Sequence, residues 1–170
     1  PAMHYRWNYP EDNDEFLRQH FFLLFPPDTP DREKKTESAM VKLRSVTELR
    51  GVNEDTRELV EVLYLEFLDA LNNHFKLNPY LLGDRPCVGD FGLLAPLYGH
   101  LGRDPHPAAL MKKRAPRVYR WVERMNRADK DASEYFDRGI DFLPNDEIPD
   151  TLRSVLRVVA QDFIPETAAS

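Results

Sequence analysis

The stretch LLGDRPCVGDFGLLAPLYGHL, residues 81–101, combines turn residues with a nearly all-apolar segment. A turn containing Gly83 and Pro86 leads into a segment whose apolar residues point in every direction at helical spacing, from about Cys87 to Leu101. A helix that is apolar on all sides is buried in the middle of a domain. One carboxylate, that of Asp90, nevertheless lies just inside the start of this segment.

The spacing of Cys87 and Asp90 explains the carboxylate. The first turn of a helix has backbone N–H groups without partners, and each one that is buried and unmet costs about 1–3 kcal/mol. In a capping box the cap side chain accepts one such N–H, and an acid three residues later accepts the N–H of the cap. We therefore predict that Cys87 and Asp90 are structural N-cap residues, with Pro86 and Phe91 placed to form a hydrophobic staple. The alternatives are a catalytic acid at Asp90 and a reactive thiol at Cys87.

The rest of the chain has the helical period of about 3.6 residues, few alternating segments and only 7 glycines. It predicts an all-α fold, a single helical domain over residues 1–170 with about seven helices around the central one. The predicted helices are about 11–25, 30–50, 54–75 and 87–101, two short helices within 104–127 that begin at the cap Asp104, and 148–163.

Composition excludes several classes of protein. The net charge of −6 argues against a dedicated nucleic-acid binder, and a single cysteine rules out an internal disulfide. No apolar run reaches the roughly 20 residues of a membrane span. No signal peptide is visible, and no histidine pair has metal-ligand spacing, so we expect no metal site. Between Lys112 and Arg127 there are seven basic residues and a single acid, Glu123, and Arg117, Arg120, Arg124 and Arg127 share one helical face. This pattern fits a solvated helix face or, as the alternative, a surface for an anionic partner.

The segment from Tyr80 to Leu101 resembles the signature of the C-terminal helical domain of the glutathione transferase superfamily. That family has Gly-x-x-Pro-[Ser/Thr]-x-[Ala/Gly]-Asp before a buried central helix, matched here by Gly83, Pro86, Cys87, Gly89 and Asp90. Cys87 departs from the usual Ser or Thr, and a thiol is a weaker hydrogen-bond partner. APRVYRWVERM, residues 115–125, is similar to the family's next helix. The likeness is good over 54–127 and weaker over the N-terminal helices 1–53, and 128–170 resembles an extension found in some members.

The resemblance implies that glutathione binding belongs to a second domain, separate from the helical one. In that family a separate N-terminal thioredoxin-like domain holds glutathione, and such a domain has alternating strands and helices. No segment of this chain has the sequence pattern of a βαβ unit. The chain begins with Pro1 and the aromatic cluster of Tyr5, Trp7 and Tyr9, so we expect a missing upstream part. The chain alone is then expected to carry no catalytic residue, to bind no glutathione and to be inactive.

The same resemblance implies the role of the helical half. It would supply the hydrophobic pocket for a small apolar electrophile, with glutathione as co-substrate of the full-length protein, and part of a homodimer interface in a cytoplasmic enzyme. Tyr5, Trp7 and Tyr98 are our candidates for the pocket lining; for the first two the alternative is a core or domain contact. A non-enzymatic protein-interaction module of the same fold is the alternative function.

Overall fold

A computed structural model describes residues 1–127 and 141–168, and this part of the chain is all-α. Within it the backbone forms no strand, only isolated bridges from Gly83 to Tyr80 and Phe142. The helices are α1 Ala2–Trp7, α2 Pro10–Leu24, α3 Arg32–Leu49, α4 Arg57–His74, α5 Val88–Pro96 followed by a π-helical turn Leu97–Leu101, α6 Pro105–Arg114, α7 Pro116–Met125, a 3₁₀ turn Pro144–Asp146, and α8 Asp150–Ala168.

The all-α prediction is confirmed, and each predicted helix is present with its ends shifted by a few residues. The start of α3 differs most from expectation. The sequence predicts a cap at Thr29 and Pro30 in the first helical position, but Asp31 has φ of 52°, in the left-handed region, and the helix begins only at Arg32. Thr29 instead closes a turn by donating its N–H to the carbonyl of Pro26 at 3.0 Å. The short helix α1 was not predicted.

The apolar faces of the helices meet in two clusters of buried side chains. The larger lies between α4, the π turn, α6, α7 and α8, and its members include Tyr5, Tyr64, Leu68, Leu71, Phe75, Leu97, Leu101, Met111, Val118, Trp121, Leu152 and Val155. The smaller lies between α1, α2 and α3, and its buried members are Trp7, Leu17, Phe21 and Met40. Together they fix α1 between the α2–α3 pair and the rest of the bundle.

Helix α8 belongs to the predicted extension 128–170 and packs along α4. Its first turn is held by His74, whose Nδ1 lies 2.9 Å from the Thr151 hydroxyl and whose Nε2 lies 3.0 Å from the carbonyl of Tyr80. The sequence also predicts that the connection 128–147 packs against the bundle through Tyr135, Phe136, Ile140, Phe142 and Leu143. The first three lie outside the described residues, Phe142 is half-exposed and Leu143 is half-buried. Over the described ranges, no helix combines the length and apolarity needed to cross a bilayer.

The central helix changes pitch before it ends. The sequence predicts one helix over 87–101, whereas the last five residues form a π turn in which Gly102 donates its N–H to the carbonyl of Leu97 at 2.6 Å. A Cβ atom on Gly102 would lie 2.5 Å from that carbonyl oxygen, so the turn requires glycine there. Gly102 separates the wider turn from Arg103 and Asp104, and turns of this kind occur frequently at functional sites.

Candidate functional site

Asp90 is completely buried at the start of α5, and its carboxylate accepts three hydrogen bonds. Oδ2 accepts the backbone N–H of Cys87 at 2.9 Å, which is the acid half of the capping box. Oδ1 accepts the backbone N–H of Leu81 at 3.2 Å and the indole N–H of Trp121 at 3.0 Å. One side chain therefore joins the start of α5, the turn before it and helix α7. The spacing of Cys87 and Asp90 indicates the first of these bonds, and nothing in the sequence indicates the other two.

The Cys87 side chain completes the capping box, with its sulfur opposite the backbone N–H of Asp90. The thiol is half-buried, and burial is the largest of the effects that raise its pKa above the ordinary value. Because the thiolate is the reactive form of cysteine, a raised pKa disfavours reactivity at neutral pH. This favours the packed thiol over the reactive one.

One face of α5 is open in the part of the chain that the structure describes. Val88 is 88% exposed and Tyr98 is 48% exposed, and between them the exposed residues are Phe91, Gly92 and Ala95. We call these five residues the open face. The sequence predicts burial on every side of this helix, whereas only its inner side is covered, where α7 packs against it. The open face carries no charged residue, although charged residues make up 31% of the chain.

The three candidate pocket residues lie in different surroundings. Tyr5 belongs to the larger buried cluster, Trp7 belongs to the smaller one, and Tyr98 lies on the open face. Tyr5 and Trp7 are almost completely buried, which fits the core interpretation of the aromatic N-terminal cluster. The role of the three as a pocket lining stays a prediction.

The start of the chain is anchored by a carboxylate on α4. Glu61 Oε1 accepts the Tyr9 hydroxyl at 2.6 Å and lies 2.8 Å from Nε2 of His4. Since the amide N–H of Asn8 can only donate to Nδ1 of His4, at 2.8 Å, the imidazole proton is on Nε2 and points to Glu61. The Tyr9 ring stacks on His106 with 3.7 Å between the ring centres.

The protonation states of this cluster agree with its geometry. The hydrogen bond from Tyr9 is the largest of the effects that lower the pKa of Glu61. Burial, followed by the bond to Glu61, raises the pKa of Tyr9 to about 12. Burial lowers the pKa of His4. At neutral pH the carboxylate is ionised, whereas the phenol and the imidazole are uncharged donors to it.

A shallow cleft of about 430 Å³ opens beside this cluster, between α2 and α6. Its lining residues are Asp12, Pro105, His106, Ala109, Leu110 and Lys113. The Asp12 carboxylate lies 2.6 Å from Nδ1 of His106, so the polar groups at the mouth of the cleft already bind each other. No set of three or more metal-ligating side chains occurs among the residues that the structure describes.

The side chain of Asp104 is a second buried carboxylate. The sequence predicts only a helix cap at this position. Its side chain makes no cap hydrogen bond and instead accepts from two guanidinium groups. Arg6 Nε donates to Oδ2 at 2.6 Å and its Nη2 to Oδ1 at 3.1 Å, while Nε and Nη2 of Arg103 donate to Oδ1, both at 3.2 Å. The pair of Arg6 and Asp104 ties α1 to the start of α6.

The basic segment 112–127 is not one solvated face. The sequence places Arg124 on that face, but its side chain is buried, where Nη2 donates to the carbonyl of Pro79 at 2.6 Å and the guanidinium lies over the ring of Tyr80. Arg114 makes a two-pronged ion pair with Asp69 of α4, at 2.9 and 2.7 Å. The guanidinium groups of Arg114 and Arg124 are therefore already bound within the protein, which reduces the positive charge available to an anionic partner.

Comparison with known proteins yields one match. A family model described as "Glutathione S-transferase, C-terminal domain" matches residues 14–129. No curated protein and no solved structure matches the chain. The matched range contains the capping box, the central helix and helices α6 and α7. Because the match covers more than half of the chain, this protein belongs to the glutathione S-transferase C-terminal domain family.

Proposed function

We propose that this chain is the C-terminal helical half of a glutathione transferase-like protein that conjugates glutathione to a small apolar electrophile or reduces one. In this proposal a thioredoxin-like domain on its N-terminal side holds glutathione, and the helical half supplies the apolar wall of the co-substrate pocket. Family membership supports that arrangement, and it also supports a homodimer and a cytoplasmic location.

The observation that carries the proposal is the open face of α5. Monomeric proteins rarely expose large contiguous apolar patches, and such patches mark interaction sites. Here the exposed stripe begins at Val88, in the first turn of the helix that the family signature begins, and the same turn contains the buried Asp90. We assign the thioredoxin-like domain as its cover, with Tyr98 at the end of the stripe left for the electrophile pocket.

Four groups of this chain, those of Tyr5, Tyr9, Tyr64 and Cys87, do not fit the task of activating a thiol. Stabilising a thiolate requires an accessible donor aimed at the sulfur. Burial raises the pKa of Tyr5 and Tyr64 well above the ordinary value, and the Tyr9 hydroxyl is already bound to Glu61. The Cys87 thiol is half-buried with a raised pKa. The activating group is therefore assigned to the other domain, and we derive no catalytic step from this chain.

A non-enzymatic interaction module is the second candidate, because the open face would fit an apolar partner protein equally well. The two functions differ in one property. The enzyme binds glutathione once both domains are present, and the module does not.

The substitution Phe91→Glu tests the docking role of the open face. Phe91 is 58% exposed, so in the chain alone we expect the melting temperature to change little, as for most surface substitutions. In the longer protein that carries the thioredoxin-like domain, the same charge would be buried against an apolar surface. There we expect a clear fall in melting temperature, or separate melting of the two domains, in differential scanning calorimetry.

Leu23→Glu is the matched control, since Leu23 is an exposed apolar residue on α2, away from the open face. It should leave both melting temperatures close to those of the parent. If Phe91→Glu changed the longer protein no more than Leu23→Glu does, the open face would not be the docking surface.

A further inference from the structure

A basic cluster surrounds Asp104 where the π turn meets α1 and α2. Two guanidinium groups, those of Arg6 and Arg103, share the single carboxylate of Asp104. Two half-buried imidazoles, those of His20 and His100, complete the cluster. Neither the family match nor the proposed function assigns a role to these residues.

The side chains of Arg6 and Arg103 differ in their exposure and in the lengths of their hydrogen bonds to Asp104. The Arg6 side chain is buried and uses two of its N–H groups on Asp104. Arg103 is 32% exposed, and its bonds to Asp104 are longer. Its Nη1 lies 3.2 Å from Nε2 of His20. A guanidinium has five N–H donors. The hydrogen bonds found among the described residues use three of those on Arg103, one each on Nε, Nη1 and Nη2, so one N–H on Nη1 and one on Nη2 remain.

Both imidazoles are neutral in this arrangement. Arginine can only donate, so Nε2 of His20 accepts from Arg103 and the ring proton is on Nδ1. Burial and the nearby guanidiniums of Arg103 and Arg6 lower the pKa of His20, and Asp104 opposes them. Burial and the same three charged groups act on His100 in the same directions. The cluster therefore has two positive charges and one negative charge at neutral pH, a surplus of one positive charge in partly buried surroundings.

We infer that Arg103, His20 and His100 form a binding site for a small oxyanion, a carboxylate or a phosphate group. The partly exposed guanidinium of Arg103 supplies the remaining N–H groups of Nη1 and Nη2, and guanidinium donors suit the oxygens of such anions. The buried pair of Arg6 and Asp104 fixes the guanidinium in place, and His100, in the π turn, is close enough to feel the charges of the same three groups. A bound anion would neutralise the surplus charge, which partial burial makes costly.

The test uses the 170-residue chain and two probes, inorganic phosphate and acetate, each added against sodium chloride at equal ionic strength. Histidine ring signals in NMR spectra report binding and the two imidazole pKa values, and thermal unfolding reports stabilisation. We expect saturable shifts at His20 and His100 and a rise of both pKa values, because a bound anion favours the protonated rings. The probe that saturates at the lower concentration shows whether the site prefers a phosphate group or a carboxylate.

Arg103→Gln should weaken binding about tenfold or more, the loss expected for charge-assisted hydrogen bonds. Arg18→Gln is the control, since Arg18 is an exposed arginine of α2 that pairs with Glu37. Phosphate stabilises many proteins by exclusion from their surface, so only the difference between the two variants counts. Circular dichroism establishes that Arg103→Gln is folded, and His20→Gln is a second variant that leaves both guanidiniums in place. Absence of saturable shifts in the parent, or equal shifts in Arg103→Gln and Arg18→Gln, would overturn the inference.

Discussion

Replacing Asp90 by alanine is expected to lower the free energy of unfolding by about 3–5 kcal/mol, because three buried N–H donors lose their acceptor. The carboxylate is completely buried and accepts from Cys87, Leu81 and Trp121. An unmet buried donor costs about 1–3 kcal/mol, so loss of the capping bond alone would give a smaller effect than loss of all three bonds. Urea unfolding of parent and variant measures the difference.

Two controls separate the network from a general loss of charge. Cys87→Ser keeps the bond from the backbone N–H of residue 87 to Asp90 and replaces a thiol by a better cap, so we expect a neutral or slightly stabilising effect. Asp14→Ala removes an exposed carboxylate that pairs with Arg44, and should cost no more than about 1 kcal/mol. An Asp90→Ala protein as stable as Asp14→Ala would show that the buried network does not hold α5 in place.

The second large effect is expected at Asp104. Asp104→Ala should cost about 3–5 kcal/mol, because it leaves the buried guanidinium of Arg6 without its carboxylate. The same substitution should loosen Arg103, whose bonds to Asp104 are longer than the shortest bond from Arg6. Urea unfolding again gives the magnitude.

The matched variant for this pair is the double substitution Arg6→Met with Asp104→Leu. Replacing both partners of a buried ion pair by apolar residues is frequently tolerated, whereas removing one partner is not. The double variant should therefore be more stable than Asp104→Ala. If the double variant were the less stable of the two, unpaired charge would not be the cause of the loss.

The features that the sequence predicted well are local in the chain. The spacing of Cys87 and Asp90 indicated the capping bond found at 2.9 Å, and the helical period indicated the all-α fold. Local patterns failed where a distant partner replaced the local one. Asp104 has the position of a helix cap, but its carboxylate is used by Arg6, 98 positions away. Arg124 matched an exposed basic face, but it folds onto the carbonyl of Pro79, 45 positions away.

Features that depend on tertiary contact had no signal in the sequence. The bond between His4 and Glu61 spans 57 positions, and no pattern in either segment indicates the other. The open face of α5 shows another limit of prediction from sequence. The apolar sequence of this helix predicts that the helix is buried but does not identify the element that covers it. Only the structure separates the inner side, against α7, from the exposed side.

In the proposed function this chain supplies the apolar half of a two-domain glutathione site and does not itself hold glutathione. Titration calorimetry measures this, with glutathione added to residues 1–170 and, separately, to the longer protein that carries the proposed thioredoxin-like domain. We expect no binding heat from the helical chain and saturable binding by the longer protein. Glutathione binding by the helical chain alone would show that the proposed division between the domains is wrong, and a longer protein without affinity would favour the interaction module.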